Sequence, residues 1–290
     1  MERVSLCSVC HSDRLLTIDV DRNFCRCRTC GFIFDSPRPS SDEVVAFYSQ
    51  AGKYDSWVDE ESARERLWKR RLKKLMPYRT PGDILDIGTG IGQFLHLAKP
   101  YFSAVKGTEV SESGVRAAKE RYALDILHGS VEELPLAPSS FDNITLFHVL
   151  EHVPDPGALI RTCITLLRPR GTLFVAVPND VLAWTSSIKR LGKKMGLARF
   201  EKFSPSLGIS KAGTSREIHL SHFTPPVLRK LVETQGFSII DESIDPYYVA
   251  SGIGLLVHTV YWFFHRALLG LTGVNRYDTI FMVGRKRASA

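Results

Sequence analysis

The sequence predicts an α/β protein in which helices cover both faces of a mostly parallel sheet, preceded by a small cysteine-rich module. Three observations carry this. From residue 83 onward, short and nearly continuous apolar runs alternate with helical stretches, the pattern of parallel strands buried on both faces. The first run, DILDIG, leads into glycines at 88, 90 and 92, as a strand does when it turns into a helix beside a ligand. Ahead of it, five of the six cysteines fall within residues 1–36. A chain of 290 residues is long enough for one large domain and a small module.

The cysteines come first. CSVC and CRTC supply Cys7, Cys10, Cys27 and Cys30, with 16 residues between the two pairs. C-x2-C-x15–20-C-x2-C is a zinc-ribbon spacing. Four thiolates close a tetrahedral site and leave no position open for substrate, so the expected zinc is structural. Cys25 could replace Cys27, although the C-x-C-x-x-C geometry makes Cys27 the better partner of Cys30. Free cysteines in a small subdomain are the plainer alternative. No apolar core follows Met1, so no secretory signal is read, and a reducing compartment, the cytoplasm, is expected.

DSPRPSSDE reads as a linker, and Ser40 with Glu43 forms a capping-box pattern that starts a helix near 41–50. A longer charged helix is predicted at about 60–76, stopped by Pro77. It carries ERLWKRRLKK, one of two basic clusters; KRLGKKMGLARFEK at 189–202 is the other. With a net charge of +7, these favour anionic partners such as phosphates, acidic sugars, a membrane surface or nucleic acid, although two solvated helix faces would give the same pattern.

In the main domain DILDIG is a strand, GQFLHLAK a helix stopped by Pro100, AVKGTEV a strand and SESGVRAAKERY a helix. DILHGS and FDNITLFHV are strands, DPGALIRTCITLL is a helix, and GTLFVAV is a strand ending at Pro178. The basic, Gly/Ser-rich stretch 180–222 interrupts the alternation. TPPVLRKLVETQ is a helix with Pro near its start and Gly236 at its end, and FSIIDESI and DTIFMVGRK are the last two strands. The predicted organisation is therefore a zinc-ribbon-like module at 1–40, a helical linker or lid at 41–80, and a main domain at 81–290 with an insertion at 180–222 and an apolar cover at 247–273.

The glycine spacing is G-x-G-x-G, not the G-x-G-x-x-G of dinucleotide sites, which disfavours NAD. Asp86, just before the turn, suits a cofactor with a cationic amino-acid end, and Glu109, about 20 residues on, fits an acid that binds ribose hydroxyls.

These residues resemble the class I S-adenosylmethionine-dependent methyltransferases. LDIGTGIGQF is similar to that family's first motif and Glu109 to its second-strand acid. HGSVEELPLAPSSFDNI is similar to its third-strand turn, with Ser130 where the family often has Asp. LFHVLEHVPDP resembles the segment after strand four, and LLRPRGTLFVAVPN the approach to strand five. The match covers 81–180 closely and 214–290 loosely. The resemblance implies a Rossmann-like fold, a mostly parallel seven-stranded sheet with an antiparallel last strand, with S-adenosylmethionine as cofactor. It places Asp86, Gly88 and Gly90 near the methionine part, Glu109 at the ribose, Ser130, Val131 and Glu132 on the adenine side and His148 near the donor, with Gly92, Val110 and Phe147 also among the cofactor-binding residues. The cysteine-rich start resembles the amino-terminal extension of a bacterial subgroup, among enzymes that methylate quinone rings, polysaccharides and natural products.

The stretch HVLEHVPDP also matches the H-x-x-E-H zinc-protease pattern. Here His148 ends a strand and Pro154 and Pro156 follow, so no helix can place both histidines on one face. His152, and His219 of REIHLSHFTP, are the candidate general bases; His222 is expected to hydrogen-bond the insertion to the sheet. The resemblance also raises a divalent ion held by acidic and histidine residues at this turn.

The segment 247–273 is long and apolar, but the strand after it must rejoin the sheet, so it is read as a helical cover or a surface dipping into the membrane interface and not as a span. A helix buried against the sheet or a homodimer contact are the plainer readings. The first expected acceptor is a sugar of a surface polysaccharide or its lipid-linked precursor, at the inner face of the membrane, followed by a quinone ring or natural product. A non-catalytic cofactor-binding module and an RNA methyltransferase rank lower. For the latter, the chain lacks an Asn/Asp-Pro-Pro-aromatic motif after strand four, and nucleic acid is not the expected partner.

Overall fold

The structure is a computed structural model that describes residues 2–19, 23–49, 60–200, 218–246 and 248–288. Three short strands come first: β1 (Leu15–Asp19), β2 (Phe24–Cys27) and β3 (Ile33–Asp35). Helix α1 (Ser41–Tyr48) starts at the expected capping box, with Ser40 and Glu43 bonded to each other's backbone amides. Helix α2 (Glu61–Leu75) follows. Then come β4 (Ile84–Ile87), α3 (Gln93–Ala98), β5 (Val105–Glu109), α4 (Glu112–Tyr122), β6 (Ile126–His128), β7 (Phe141–Phe147), α5 (Pro156–Leu166) and β8 (Leu167–Pro178). The chain continues through α6 (Trp184–Lys194), β9 (Ser221–His222), α7 (Pro225–Thr234), β10 (Phe237–Ser243), α8 (Gly252–Thr272) and β11 (Thr279–Lys286).

The main sheet has seven strands in the order β10-β11-β8-β7-β4-β5-β6. Neighbours from β8 to β6 pair in parallel, and only β11 runs against the rest, between β8 and β10. The strand order reverses at β4: β5 and β6 lie on one side of it, β7 and β8 on the other. A crevice opens at the carboxyl ends of strands at such a point.

Alternation along β4 and β7 divides the core. Leu85, Ile87, Ile144 and Leu146 face a layer built with Leu159 and Ile160 of α5 and Leu228 and Leu231 of α7. Ile84 and Phe147 face the other layer, with Leu72 and Trp68 of α2 and Phe94 and Ala98 of α3. Cys163 is buried in α5, and His96 of α3 stacks on Tyr122 with ring centroids 4.8 Å apart.

The amino-terminal strands form a second, four-stranded sheet of order β1-β2-β3-β9. Its last strand comes from the far side of the main domain, where Ile33 pairs with His222 and Phe34 with Ser221. Phe32 packs on Phe223 with ring centroids 5.4 Å apart, so the small module shares a core layer with the large domain.

Two expectations change. The 180–222 stretch contains helix α6 as well as β9; its residues 201–217 lie outside the described ones. Segment 247–273 forms α8, but α8 neither covers the crevice nor buries itself against the sheet. Among its residues only His265 is fully buried, and none lines the cavity described below. It joins β10 to β11 at the edge of the sheet, to one side of the reversal at β4. No described helix is long and apolar enough to cross a membrane.

Candidate functional site

A cavity of about 990 Å³ opens at the reversal in strand order. Its floor is the turn after β4. Gly88 has φ +69°, and a Cβ there would meet Val149 Cγ2 at 2.7 Å. Gly92 has φ +79°, and a Cβ there would meet Leu124 Cδ1 at 2.8 Å. Both positions therefore need glycine, for conformation and for space.

Glu109, at the end of β5, is fixed from beneath. The Gly90 amide donates to its Oε2 at 2.8 Å and the Ser111 amide to its Oε1 at 2.9 Å. An ionised carboxylate accepts about four hydrogen bonds, so a carboxylate held this way can still receive a ligand's hydroxyls. Asp86 is buried below the turn and accepts the Thr145 hydroxyl. Burial pushes its carboxyl up to about 7, against the hydrogen bonds from Thr145 and Thr89 and the charge of Arg71. A cationic ligand group beside it would favour the ionised form. S-adenosylmethionine is therefore expected to bind more tightly as pH rises through about 7, and Asp86→Asn to flatten that dependence when titrated calorimetrically between about pH 6 and pH 8. For folding the sign is opposite: this group's contribution is fully present below its unfolded pKa and is lost as pH rises through about 7.

The turn after β7 supplies the other wall. His148 has φ +57°, which aims the chain back across the crevice. The fully buried Glu151 lies between two imidazoles, with Oε1 3.1 Å from His148 Nδ1 and 3.7 Å from His152 Nε2. Burial would raise its carboxyl, but His152, His148 and His219 hold it below the usual value. The Glu151 carbonyl accepts the amides of Leu220, at 2.7 Å, and Ser221, at 3.1 Å. This ties the turn to the strand that completes the small sheet.

His152 Nδ1 is 2.6 Å from the Ile218 carbonyl and 2.8 Å from the Tyr48 hydroxyl. A carbonyl only accepts, so Nδ1 carries the proton and Nε2 is left as the basic nitrogen. Behind it, His219 packs edge-on to His152 with ring centroids 5.0 Å apart, and its Nδ1 meets Asp180 Oδ2 at 3.2 Å. His219, expected as a second base, is not among the residues that line the cavity; its Nδ1 faces Asp180 and its ring packs on His152. Asp180 is held far below the carboxylate range by His219 and His222, despite its burial. His222 links in turn to Asp35 of β3 at 3.2 Å, so it bonds to the small module as well as to Asp180.

Of the residues expected from sequence, Gly88, Glu109, Val110, Ser130, Val131, Glu132, Phe147, His148 and His152 line the cavity. Asp86, Gly90 and Gly92 shape it from below. Ser130 donates to Glu132, which places the two at the rim together. Sequence reading missed the wall formed by α1 and α2: Val44, Val45 and Tyr48 from one, Arg64, Trp68 and Arg71 from the other. The spacing 64, 68, 71, 75 lies on one helix face, which would have found them had the arginines not looked like solvated charges. Arg71 is 0% exposed, bonded to Asp245 of the segment after β10 through Nε at 2.8 Å, and its guanidinium lies 4.9 Å from the ring centres of Trp68 and Phe147.

Among the described residues, two groups of side chains could hold a metal ion: Cys7, Cys10, Cys27 and Cys30, and Glu151, His152 and His219. The Cys7 and Cys30 sulfurs are 3.5 Å apart and those of Cys10 and Cys27 3.6 Å. A tetrahedral site with bonds of about 2.3 Å sets its sulfurs about 3.8 Å apart, so the four fit a zinc ion. Burial works against ionisation of Cys27, yet hydrogen bonds from the backbone of Cys30 and Thr29 bring its thiol down to about 7. Cys25 points elsewhere, toward Thr17 and the Ser36 carbonyl.

Comparison with known proteins agrees with this geometry. A family profile described as a methyltransferase domain matches residues 61–242. The chain is 29% identical over 184 residues to a Mycolicibacterium smegmatis protein named "Probable S-adenosylmethionine-dependent methyltransferase", covering 62% of each. It is 36% identical over 102 residues to a ubiquinone biosynthesis O-methyltransferase of Xanthomonas campestris pv. campestris, covering 33% of this chain and 43% of that one. The chain thus spans less than two thirds of the length of these relatives. In fold it is similar to an S-adenosylmethionine-dependent methyltransferase structure from Thermotoga maritima, with TM-score 0.51 and 18% identity over 84% of this chain and 100% of that one. It is also similar to the [4+2]-cyclase SpnF, with TM-score 0.54 and 16% identity over 87% of this chain and 99% of that one. With the cofactor-type turn, the ordered motifs and the matched profile in agreement, the chain belongs to the methyltransferase-domain family, within the class I S-adenosylmethionine-dependent methyltransferases.

Proposed function

We propose that the chain catalyses methyl transfer from S-adenosylmethionine to a hydroxyl on an apolar, ring-type small molecule. The observation that carries this is the positioned His152 Nε2 on a cavity whose wall includes an apolar stretch of Val44, Val45, Trp68, Phe147, Val153 and Leu159, beside charged groups such as Arg64 and Arg71. A phenolic ring is complementary to such a wall. That apolar stretch favours a ring over the polysaccharide acceptor that the subgroup resemblance also suggests. The ubiquinone-pathway relatives support the same choice. The cofactor's glycine cradle, Glu109 and Asp86 fit an adenosine and an amino-acid end.

When bound, the cofactor supplies an electrophilic methyl group on a sulfonium. With that donor bound, the acceptor oxygen would take the methyl as its carbon–sulfur bond breaks and S-adenosylhomocysteine is released, and the chain's task would be to hold that oxygen and receive its proton. The hydroxyl proton passes to His152 Nε2. Because the donor is already activated, alignment and this proton transfer are the main tasks of the protein. Incubation with labelled cofactor and a panel of catechols, hydroxyquinols and sugar nucleotides tests the reading. Phenol-dependent formation of S-adenosylhomocysteine supports it; turnover only with sugars, or cofactor binding without turnover, overturns it.

The Glu151, His152 and His219 cluster also supports a second reading, a divalent ion that polarises the acceptor. Chelation followed by add-back of magnesium or manganese separates the two: unchanged turnover leaves the base, ion-dependent recovery favours the metal.

For the cysteine cluster the proposed occupant is structural zinc. Purified protein is expected to carry about one equivalent, and Cys27→Ser to lose it together with several kcal/mol of stability, about 3 or more, because metal binding to the four thiolates adds directly to the folding free energy of the β1–β3 module. Elemental analysis with thermal melts checks both.

A further inference from the structure

Helices α6 and α8 present their apolar faces outward. In α8 an unbroken stripe of Ile253, Leu256, Val260, Phe263, Phe264 and Leu271 faces solvent, with Ile253 82% and Leu271 86% exposed. A helix of this length spans about 30 Å. In α6, Trp184, Ile188 and Leu191, with Met195 just beyond, form a second exposed apolar stripe at spacings of four, three and four residues. Trp184 joins the two: its ring lies 5.5 Å from Phe264 and 5.3 Å from His265. A soluble protein rarely leaves a contiguous apolar patch of this extent unless something covers it.

Charge indicates what does. Residues 182–200 hold five Lys or Arg and no Asp or Glu, and Arg266 is the only Asp, Glu, Lys or Arg of α8. A second copy docking through the same patch would bring like charges together, since a two-fold contact sets each surface against itself. An anionic lipid surface would attract them, and the apolar stripes would enter the boundary between headgroups and acyl chains. Spanning is excluded by topology: β10 and β11, on either side of α8, are paired strands of one sheet, and no described helix is long and apolar enough to cross a membrane.

We propose that α6 and α8 together form a docking surface for an anionic bilayer, with both helices lying in the plane of the interface. The docking surface meets the cavity through α2. One face of α2 lines the cavity with Arg64, Trp68 and Arg71, while Arg66 and Arg70 hold the Ala250 and Tyr248 carbonyls of the segment leading into α8, at 3.1 and 2.7 Å. An acceptor dissolved in the bilayer would thus be taken up next to its site.

The test is co-sedimentation of the full chain with vesicles of neutral phosphatidylcholine, with and without about 30% phosphatidylglycerol. Binding is expected with the anionic vesicles only, weakened by salt and reduced about tenfold or more by Leu256→Asp/Val260→Asp. Both positions are exposed, so the variant's melting curve and cofactor binding should match the parent's, which separates lost docking from lost fold. Lys194→Glu/Arg266→Glu should reduce the salt-sensitive part alone. Failure to bind anionic vesicles at low salt would overturn the proposal. So would binding indifferent to both variants, or a concentration-dependent dimer that the apolar variant dissociates in the absence of vesicle binding. The outcome is independent of whether the acceptor is a phenol.

Discussion

His152→Ala is expected to lower kcat by about 10²- to 10⁴-fold, the usual range for removing a general base, with S-adenosylmethionine affinity changed by about twofold or less. The residues expected to contact the cofactor lie on the β4 turn, at Glu109, on the β6 turn and at Phe147 and His148, and none of them is held by the His152 side chain. What is lost is Nε2, the nitrogen left basic because Ile218 fixes the proton on Nδ1. Removal of the orienting groups should do less. Tyr48→Phe leaves the Ile218 carbonyl in place and is expected to cost about tenfold or less, while Asp180→Asn should act through His219 and change kcat without changing cofactor affinity. A structural role for His152 would lower melting temperature and cofactor affinity together. A base role would instead flatten the acidic limb of the kcat pH profile at unchanged stability. Single-turnover kinetics with calorimetric titration separates these outcomes.

Arg71→Met is expected to cost about 3–5 kcal/mol, because it leaves Asp245 ionised and buried without its partner. Both side chains are 0% exposed, so water cannot replace the arginine. For a domain of this size that is a fall in melting temperature of about 5–10 °C. The doubly apolar variant Arg71→Met/Asp245→Leu should recover much of it, since two well-packed apolar groups at a buried ion pair can be nearly neutral. Denaturant unfolding of the two single variants and the double gives the coupling energy. If the singles cost no more than surface substitutions, the pair is not what holds α2 against the β10–β11 edge. The double variant should also bind cofactor less well. The guanidinium lies against Trp68 and Phe147 on the cavity wall and acts on Asp86 through its charge, and methionine cannot supply that charge.

The β4 and β7 strands, the glycine turn and the four-cysteine spacing were all legible in the sequence because each is local. A four-residue apolar run before glycines, or paired C-x-x-C, carries its meaning in neighbouring letters. The wall formed by α2 was not. Arg64 and Arg71 share a helix face with Trp68 and Leu75, but whether an arginine is buried depends on a carboxylate 174 positions away in the Arg71–Asp245 pair. His219 is a similar case: its motif was visible, but Asp180, which its Nδ1 faces, lies in a stretch without periodicity. Strand β9 has two residues, too few for any pattern. For α8, hydrophobicity all round the helix concealed which side would meet solvent, and its place between two paired strands concealed that it lies beside the crevice and not over it.

The pairing of β3 with β9 also sets an order of events at the ribosome. Asp35 leaves the exit tunnel long before Ser221 and His222, the residues that complete its sheet and cover Phe32 with Phe223. At about 5–20 residues per second the interval is about 10–40 s. Over that time the amino-terminal strands wait with an open edge and an apolar face, and the zinc proposed for the four thiolates would hold them together. This early-made segment is therefore among the last to be finished. Removing residues 1–40 would not trim an appendage; it would strand β9 and Phe223, and with them the Glu151 carbonyl that anchors the His152 turn.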